Sequence, residues 1–277
     1  MKRIVSRSAF YLLLALTLFY ILFPFYWMVV NSLKPAAELF STPLSYWPRQ
    51  LTLDNYRAVL ADGSFVRSIR NSMVVAGSAT FLSLVLSAMA AYALARYKFA
   101  GKQVTLYVIL GMSTFPQIAV LGGLFTLARA LGLYNTYGAL VLSYMIFTLP
   151  FCVWVLTNFI KDIPDTLDEA ATIDGANPLQ LLWHVIIPLA GPGLVATGLL
   201  SFINAWNEFL FALTLTADSQ ARTVPVAVAL FSGQSEHELP WGKITAASSV
   251  VTVPVVVLAL IFQKRIVEGL TSGAVKG

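Results

Sequence analysis

KDIPDTLDEAATIDGANPLQLLWHVIIP, residues 161–188, is the polar stretch that decides how the chain is read. It lies between two long apolar segments and holds Asp162, Asp165, Asp168, Glu169 and Asp174, five of the thirteen carboxylates. Asp165 is placed to cap a helix over 166–174, with Asp168 in the capping-box position. Gly175 fits the left-handed position that ends such a helix. Asn177 and Pro178 read as the cap and first residue of a second helix. Leu179, Leu182, Trp183 and Ile186 fall at i, i+3, i+4 and i+7, which gives that helix one apolar face. Pro188 closes the unit. Ala170 and Ala171 leave the first helix shallow on one side, where another protein can approach closely.

The composition places this loop in a membrane protein. Of 277 residues, 58% are hydrophobic and 11% charged, against about 25% charged in soluble domains. The mean hydropathy is +0.76. Several apolar runs exceed the roughly 20 residues that cross a bilayer as helix. A net charge of +5 suits anionic lipid headgroups, and no basic stripe interleaved with aromatics points to nucleic acid. Cys152 is the single cysteine, so no intrachain disulfide forms, and its place in an apolar run reads as packing. His184 and His237 have no metal-ligand spacing around them. There is no GxxxxGK[ST], HExxH or GxSxG, so the chain carries no recognisable machinery for hydrolysing ATP or for peptide or ester chemistry. A membrane enzyme or sensor stays as the distant alternative.

The fold class this predicts is all-α, with six transmembrane helices at about 9–31, 72–94, 104–127, 137–160, 189–215 and 244–262, and a two-helix loop at 161–188. The first apolar run is too long for a signal-peptide core and lacks a small-x-small cleavage site, so it reads as a retained span. Ala79, Ser83, Ser87 and Ala91 recur every four residues along the second span, a stripe that lets helix backbones approach. Six spans place both termini on one side. With the N-terminus inside, ten Lys and Arg are cytoplasmic and eight are outside, a small bias in that direction.

The loop carries a recognisable spacing: Glu-Ala-Ala at 169–171, three residues, Gly175, nine residues, then Val-Ile-Ile-Pro at 185–188. This resembles the EAA signature of ABC importer permeases, with Val185 and Ile187 where Ile and Leu are usual. Other stretches, NSLKP, LTLDNYRAVL, RNSMVVA, AAYALARYKFAGK, FINAWNEFLFALTLT and GLTSGAVKG, are similar to the maltose-type carbohydrate ABC permeases, specifically the MalG-like member of the pair. The resemblance implies a type I ABC importer permease in the cytoplasmic (inner) membrane of a prokaryote, with both termini cytoplasmic. It implies a di- or oligosaccharide substrate such as trehalose or maltose. Its partners would be a MalF-like sister permease, two ATPase subunits holding ATP and Mg, and an extracytoplasmic sugar-binding protein. This chain itself would bind no cofactor. Glu169, Ala170, Ala171, Asp174, Gly175 and Pro188 would then couple the membrane helices to an ATPase. The EAA signature also occurs in permeases for polyamine, phosphate, sulfate and amino acids, which stay as alternatives beside glycerol phosphate diesters.

Candidate pathway residues lie in the fifth span, where Ser201, Asn204, Asn207 and Glu208 share one helical side. Glu208 is the only formal charge within an apolar span. A carboxylate at bilayer depth costs roughly 2.5–3.5 kcal/mol, so it must face protein or water. Interhelical hydrogen bonding, a place near the outer surface and sugar contact are its three readings. Trp206 lies on a different face and is either a stacking platform for sugar or packing. Gln117, beside Pro116, lines the same path where the proline loosens the helix. Finally, residues 217–241 form an outer loop containing the apolar run TVPVAVALF, too short to span a bilayer. In the family this loop reaches into the binding protein, which implies contacts from Ser232, Gly233, Gln234, Ser235 and Glu236. A lid that only seals the outer mouth is the alternative.

Overall fold

The computed structural model describes residues 2–231 and 240–272, with side chains over 7–231 and 240–264. The expected binding-protein contacts at Ser232, Gly233, Gln234, Ser235 and Glu236 therefore lie outside the described residues. Regular structure among the described residues is helical throughout. In chain order the helices are α1 (Lys2–Ser32), α2 (Ala36–Leu39), α3 (Asp54–Ala61), α4 (Gly63–Arg96), α5 (Lys102–Ser113), α6 (Gln117–Ala130) and α7 (Tyr137–Lys161). There follow α8 (Thr166–Ile173), α9 (Pro178–Leu181), a π-helical turn (Leu182–Ile186), α10 (Ile187–Leu189), α11 (Gly191–Trp206), α12 (Leu210–Leu215), α13 (Val224–Ala229) and α14 (Trp241–Ser272).

Four helices are long and apolar enough to cross a membrane, over 7–32, 63–96, 137–161 and 241–264, and the number rises to six if each of two bent helix pairs is one span. The sequence reading drew the third and fifth spans as continuous, and both are broken. α5 and α6 meet at 86°. Pro116 stands at the break, has no N–H to donate and starts α6 from an extended backbone (φ −61°, ψ 119°). The segment Pro178–Leu189 meets α11 at 81°, and residues 207–209 separate α11 from α12.

The chain divides into two compact units, 1–66 with 227–253 and 67–226 with 254–277. In the first, the short elements after α1 are tied by hydrogen bonds from residues of NSLKP and LDNY. Asn55 Nδ2 donates to the carbonyls of Ser32 (3.0 Å) and Lys34 (2.9 Å), and the Ser32 and Tyr56 hydroxyls are 2.7 Å apart. The backbone of Gly242 lies so close to Asn55 that a Cβ there would fall 2.6 Å from its amide oxygen.

In the second unit, Ala79, Ser83, Ser87 and Ala91 of α4 are all 0% exposed. The small-residue stripe is thus a packing surface, and Ser83 Oγ meets Thr148 Oγ1 of α7 at 2.7 Å. On α7, Cys152 Sγ lies 3.0 Å from Ser201 Oγ of α11, inside the core. Asn71 and Ser72 hold the segment before α13: Asn71 Nδ2 donates to the carbonyls of Ser219, Gln220 and Arg222, and Ser72 Oγ accepts from Val224 N at 2.8 Å. Both belong to the stretch RNSMVVA, so its polar side chains pair with backbone groups of the loop, Asn71 with three carbonyls and Ser72 with one N–H.

Candidate functional site

Two features of the second unit carry the functional reading: the loop 161–188 and a polar cleft between helix breaks. In the loop, α8 ends in a complete Schellman motif. Gly175 has φ +85°, its N–H donates to Thr172 O (3.0 Å), and Ala176 N donates to Ala171 O (2.9 Å). Asn177 and Gln180 form a reciprocal capping box at the start of α9, each side chain accepting the other's backbone N–H at 2.9 Å.

The start of α8 differs from expectation. Asp165 has helical backbone angles (φ −64°, ψ −22°) and makes no side-chain cap bond. Its carboxylate instead lies 2.8 Å from Arg96 Nη1, at the end of α4. Asp168 is also taken by Arg96, with Oδ2 2.8 Å from Nε and Oδ1 3.2 Å from Nη2. The same guanidinium donates to Ile163 O at 3.0 Å. The arginine and Asp168 side chains are 9% and 17% exposed, whereas Asp165 is 81% exposed. The Asp168 pair is the stronger tether, since solvent screens the Asp165 contact.

The apolar residues of the second helix divide differently from the simple periodic reading. Leu181, Leu182 and Ile186 are buried against Ala88, Ala91, Tyr92, Leu156 and Ile160. Leu179 and Trp183 are exposed, at 56% and 42%. The cause is local: residues 182–186 form a π-turn, with Ile187 N bonded to Leu182 O, which shifts the phase of the face. Pro188 follows, lacking an N–H and crowding the carbonyl four residues earlier, a conflict that the wider turn relieves. Ala170 is exposed, while Ala171 is half-buried and packs against the same core, so the two alanines face different surroundings. Glu169, Asp174, Gly175 and Pro188 are exposed. Together with Ile173 (86% exposed), Leu179 and Trp183, they give the loop an outward surface that is partly apolar.

The cleft has a volume of about 560 Å³ and lies where the α5–α6 break meets the α11–α12 break, beside α7. Gln117, Asn204, Asn207 and Glu208 all line it. Trp206 does not: it is 1% exposed and stacked on Phe202 at 5.6 Å. Ser201, on the same helical side, is buried and engaged with Cys152. Glu208 bonds the first N–H groups of α12, accepting from Phe211 N (2.8 Å) and Ala212 N (3.1 Å). It thereby satisfies donors that a helix start leaves open. Asn207 Nδ2 donates back to Ile203 O at 2.8 Å. Phe115, Phe147, Phe151 and Phe209 complete the walls. Sequence reasoning missed these aromatics, because nothing in an apolar run marks which phenylalanines face a break. The signal available was the helix break itself: Pro116 and the Asn207-Glu208 pair.

This helical architecture, with broken helices around a polar cleft and an exposed two-helix loop, is the fold of an ABC transporter's membrane chain. It is similar to a chain in the crystal structure of a bacterial ABC transporter involved in the import of the acidic polysaccharide alginate, with a TM-score of 0.82, 23% identity, and coverage of 95% of this chain and 97% of that one. The chain belongs to the family of binding-protein-dependent transport system inner membrane components, whose model matches residues 83–272. Among its relatives, the trehalose/maltose transport system permease protein MalG of Thermococcus litoralis is 45% identical over 258 residues, 92% of each chain. The trehalose transport system permease protein SugB of Mycobacterium tuberculosis is likewise 45% identical over 258 residues, 93% of each.

Proposed function

We propose that the chain is one permease subunit of a sugar importer and that the 560 Å³ cleft is part of the sugar's path. The cleft's chemistry carries this reading. Sugars present many hydroxyls and one apolar ring face. Gln117, Asn204 and Asn207 supply amide donors and acceptors, and the four phenylalanines supply apolar faces. The one carboxylate, Glu208, already accepts two backbone N–H groups of α12, so the cleft is poorly furnished for a polyamine. The 45% identity to trehalose and maltose permeases supports a di- or oligosaccharide such as trehalose or maltose.

The loop 161–188 is the coupling element in this reading. Its outward surface, Glu169, Ala170, Ile173, Asp174, Gly175 and Leu179, docks on one of two partner ATPase subunits, and Arg96 transmits the movement of α8 to α4. The loop and both termini are cytoplasmic, a sister permease forms the other wall of the path, and an extracytoplasmic binding protein delivers the sugar. ATP and Mg belong to the ATPase partners. The test is ATP hydrolysis by the assembled complex in proteoliposomes, with binding protein and a panel of trehalose, maltose, spermidine and phosphate. Stimulation by a sugar alone supports the reading, and stimulation by spermidine or phosphate alone overturns it.

A further inference from the structure

Lys34 is 2% exposed, yet its ammonium donates only to neutral acceptors, Asn31 Oδ1 at 3.2 Å and the Ser45 carbonyl at 2.6 Å. It lies over the Trp27 ring, 4.6 Å from the centroid. Among the described residues no carboxylate comes within ion-pair distance of it. Burial lowers the Lys34 pKa, and the charge of Glu38 works in the opposite direction. A buried cation with no carboxylate at ion-pair distance is costly unless something supplies a closer counter-charge.

Lys34 and Glu38 line a cavity of about 460 Å³, far from the residues assigned to the sugar path in sequence. Its remaining wall includes Pro24, Met28, Phe40 and Leu44. The cavity thus has an apolar part and a part carrying one positive and one negative group. Glu38 stays ionised: hydrogen bonds from the Ser45 hydroxyl (2.7 Å) and the Arg49 N–H (2.9 Å) hold its carboxyl below the usual range. The position is also informative. The apolar stretch of α1 ends at Ser32, and exposed Tyr46, Trp47 and Trp241 follow in the same unit. Aromatic residues of this kind gather at the boundary between hydrocarbon and headgroups.

We infer that this cavity binds a zwitterionic phospholipid, with the phosphate against Lys34, the primary amine against Glu38 and the start of an acyl chain along Met28 and Phe40. A purely anionic headgroup satisfies Lys34 and is opposed by Glu38. A diacylglycerol fills the apolar part and offers neither charge an ionic partner. The inference rests on the membrane location of the family and is independent of the transported solute.

The test is lipid retention by the full-length chain. The protein is stripped of lipid in detergent and offered phosphatidylethanolamine, phosphatidylglycerol and diacylglycerol in equal amounts. Bound lipid is then read by native mass spectrometry. The wild type is expected to retain phosphatidylethanolamine most, phosphatidylglycerol less and diacylglycerol least. Lys34→Met should lose the advantage of both phospholipids over diacylglycerol, and Glu38→Gln should raise phosphatidylglycerol to the level of phosphatidylethanolamine. Equal retention of the three lipids by the wild type overturns the inference without any variant, and so does an unchanged ranking in folded Lys34→Met. Stimulation of wild-type ATP hydrolysis by spermidine or phosphate alone, with the lipid ranking intact, would count against the sugar-importer reading and leave this one standing.

Discussion

Arg96 and Asp168 meet in a two-pronged ion pair, Nε to Oδ2 at 2.8 Å and Nη2 to Oδ1 at 3.2 Å, joining the end of α4 to the first turn of α8 across 72 residues of sequence. The planar guanidinium fixes both distance and orientation, which a lysine at the same place does not. The pair therefore ties α8 to a long apolar helix whose small-residue stripe is packed into the core.

Arg96→Met should destabilise the loop by about 2 kcal/mol, because a mostly buried carboxylate loses its charge-assisted bonds. The assembled complex should melt at a lower temperature and lose binding-protein-stimulated ATP hydrolysis. In a double-mutant cycle, Asp168→Asn should cost little more once Arg96 is gone, with a coupling of about 1–2 kcal/mol. Fully additive losses would show that the pair does not act as one tether.

Gly175→Val should permit assembly and abolish coupling. The residue sits at φ +85° with open space around its Cβ position, so the obstacle is backbone conformation and not a clash. A β-branched residue in this region costs at least about 1–2 kcal/mol and pushes the turn toward another geometry. That moves Ala176 and the Asn177 cap relative to Glu169. Transport at the wild-type rate by the variant would sink the coupling role of this turn.

The loop was legible in sequence wherever its signals are local. Gly175, and Asn177 with Gln180, take their geometry from neighbours within a few residues. Asp165 was misread because its partner, Arg96, is distant in sequence, and an ion pair outcompeted the local cap. The continuous third span was misread for a related reason: hydropathy stays high across Pro116, so composition conceals an 86° bend. Four of the five candidate pathway residues, Gln117, Asn204, Asn207 and Glu208, line one cleft, and they were legible as candidates because polar side chains are conspicuous in apolar helices. Trp206 was placed among them on its chemistry, while the structure packs it on Phe202.

Asp218→Asn should flatten the acid limb of the stability profile. The Asn135 side-chain amide, 3.0 Å away, and the Gln220 N–H at 2.8 Å hold the Asp218 carboxyl below its ordinary value. A depressed folded value means the contribution is complete above the unfolded pKa of about 3.9 and disappears as pH falls through the folded value. Melting temperatures followed from pH 6 downward should therefore fall less steeply below about pH 4 in the variant. Parallel curves for the two proteins would remove Asp218 from the acid sensitivity.

The claim that the cleft conducts sugar is tested most directly by Asn204→Leu. Asn204 is exposed to the cleft and is not engaged in holding a helix end. The measurement is uptake of labelled sugar by proteoliposomes containing the assembled importer, over a range of sugar-loaded binding protein, with basal ATP hydrolysis and complex assembly followed in the same preparations. The account predicts uptake reduced by about tenfold or more, the equivalent of about 1.4 kcal/mol, with assembly and basal hydrolysis unchanged. Uptake equal to that of the wild type at every concentration would contradict it.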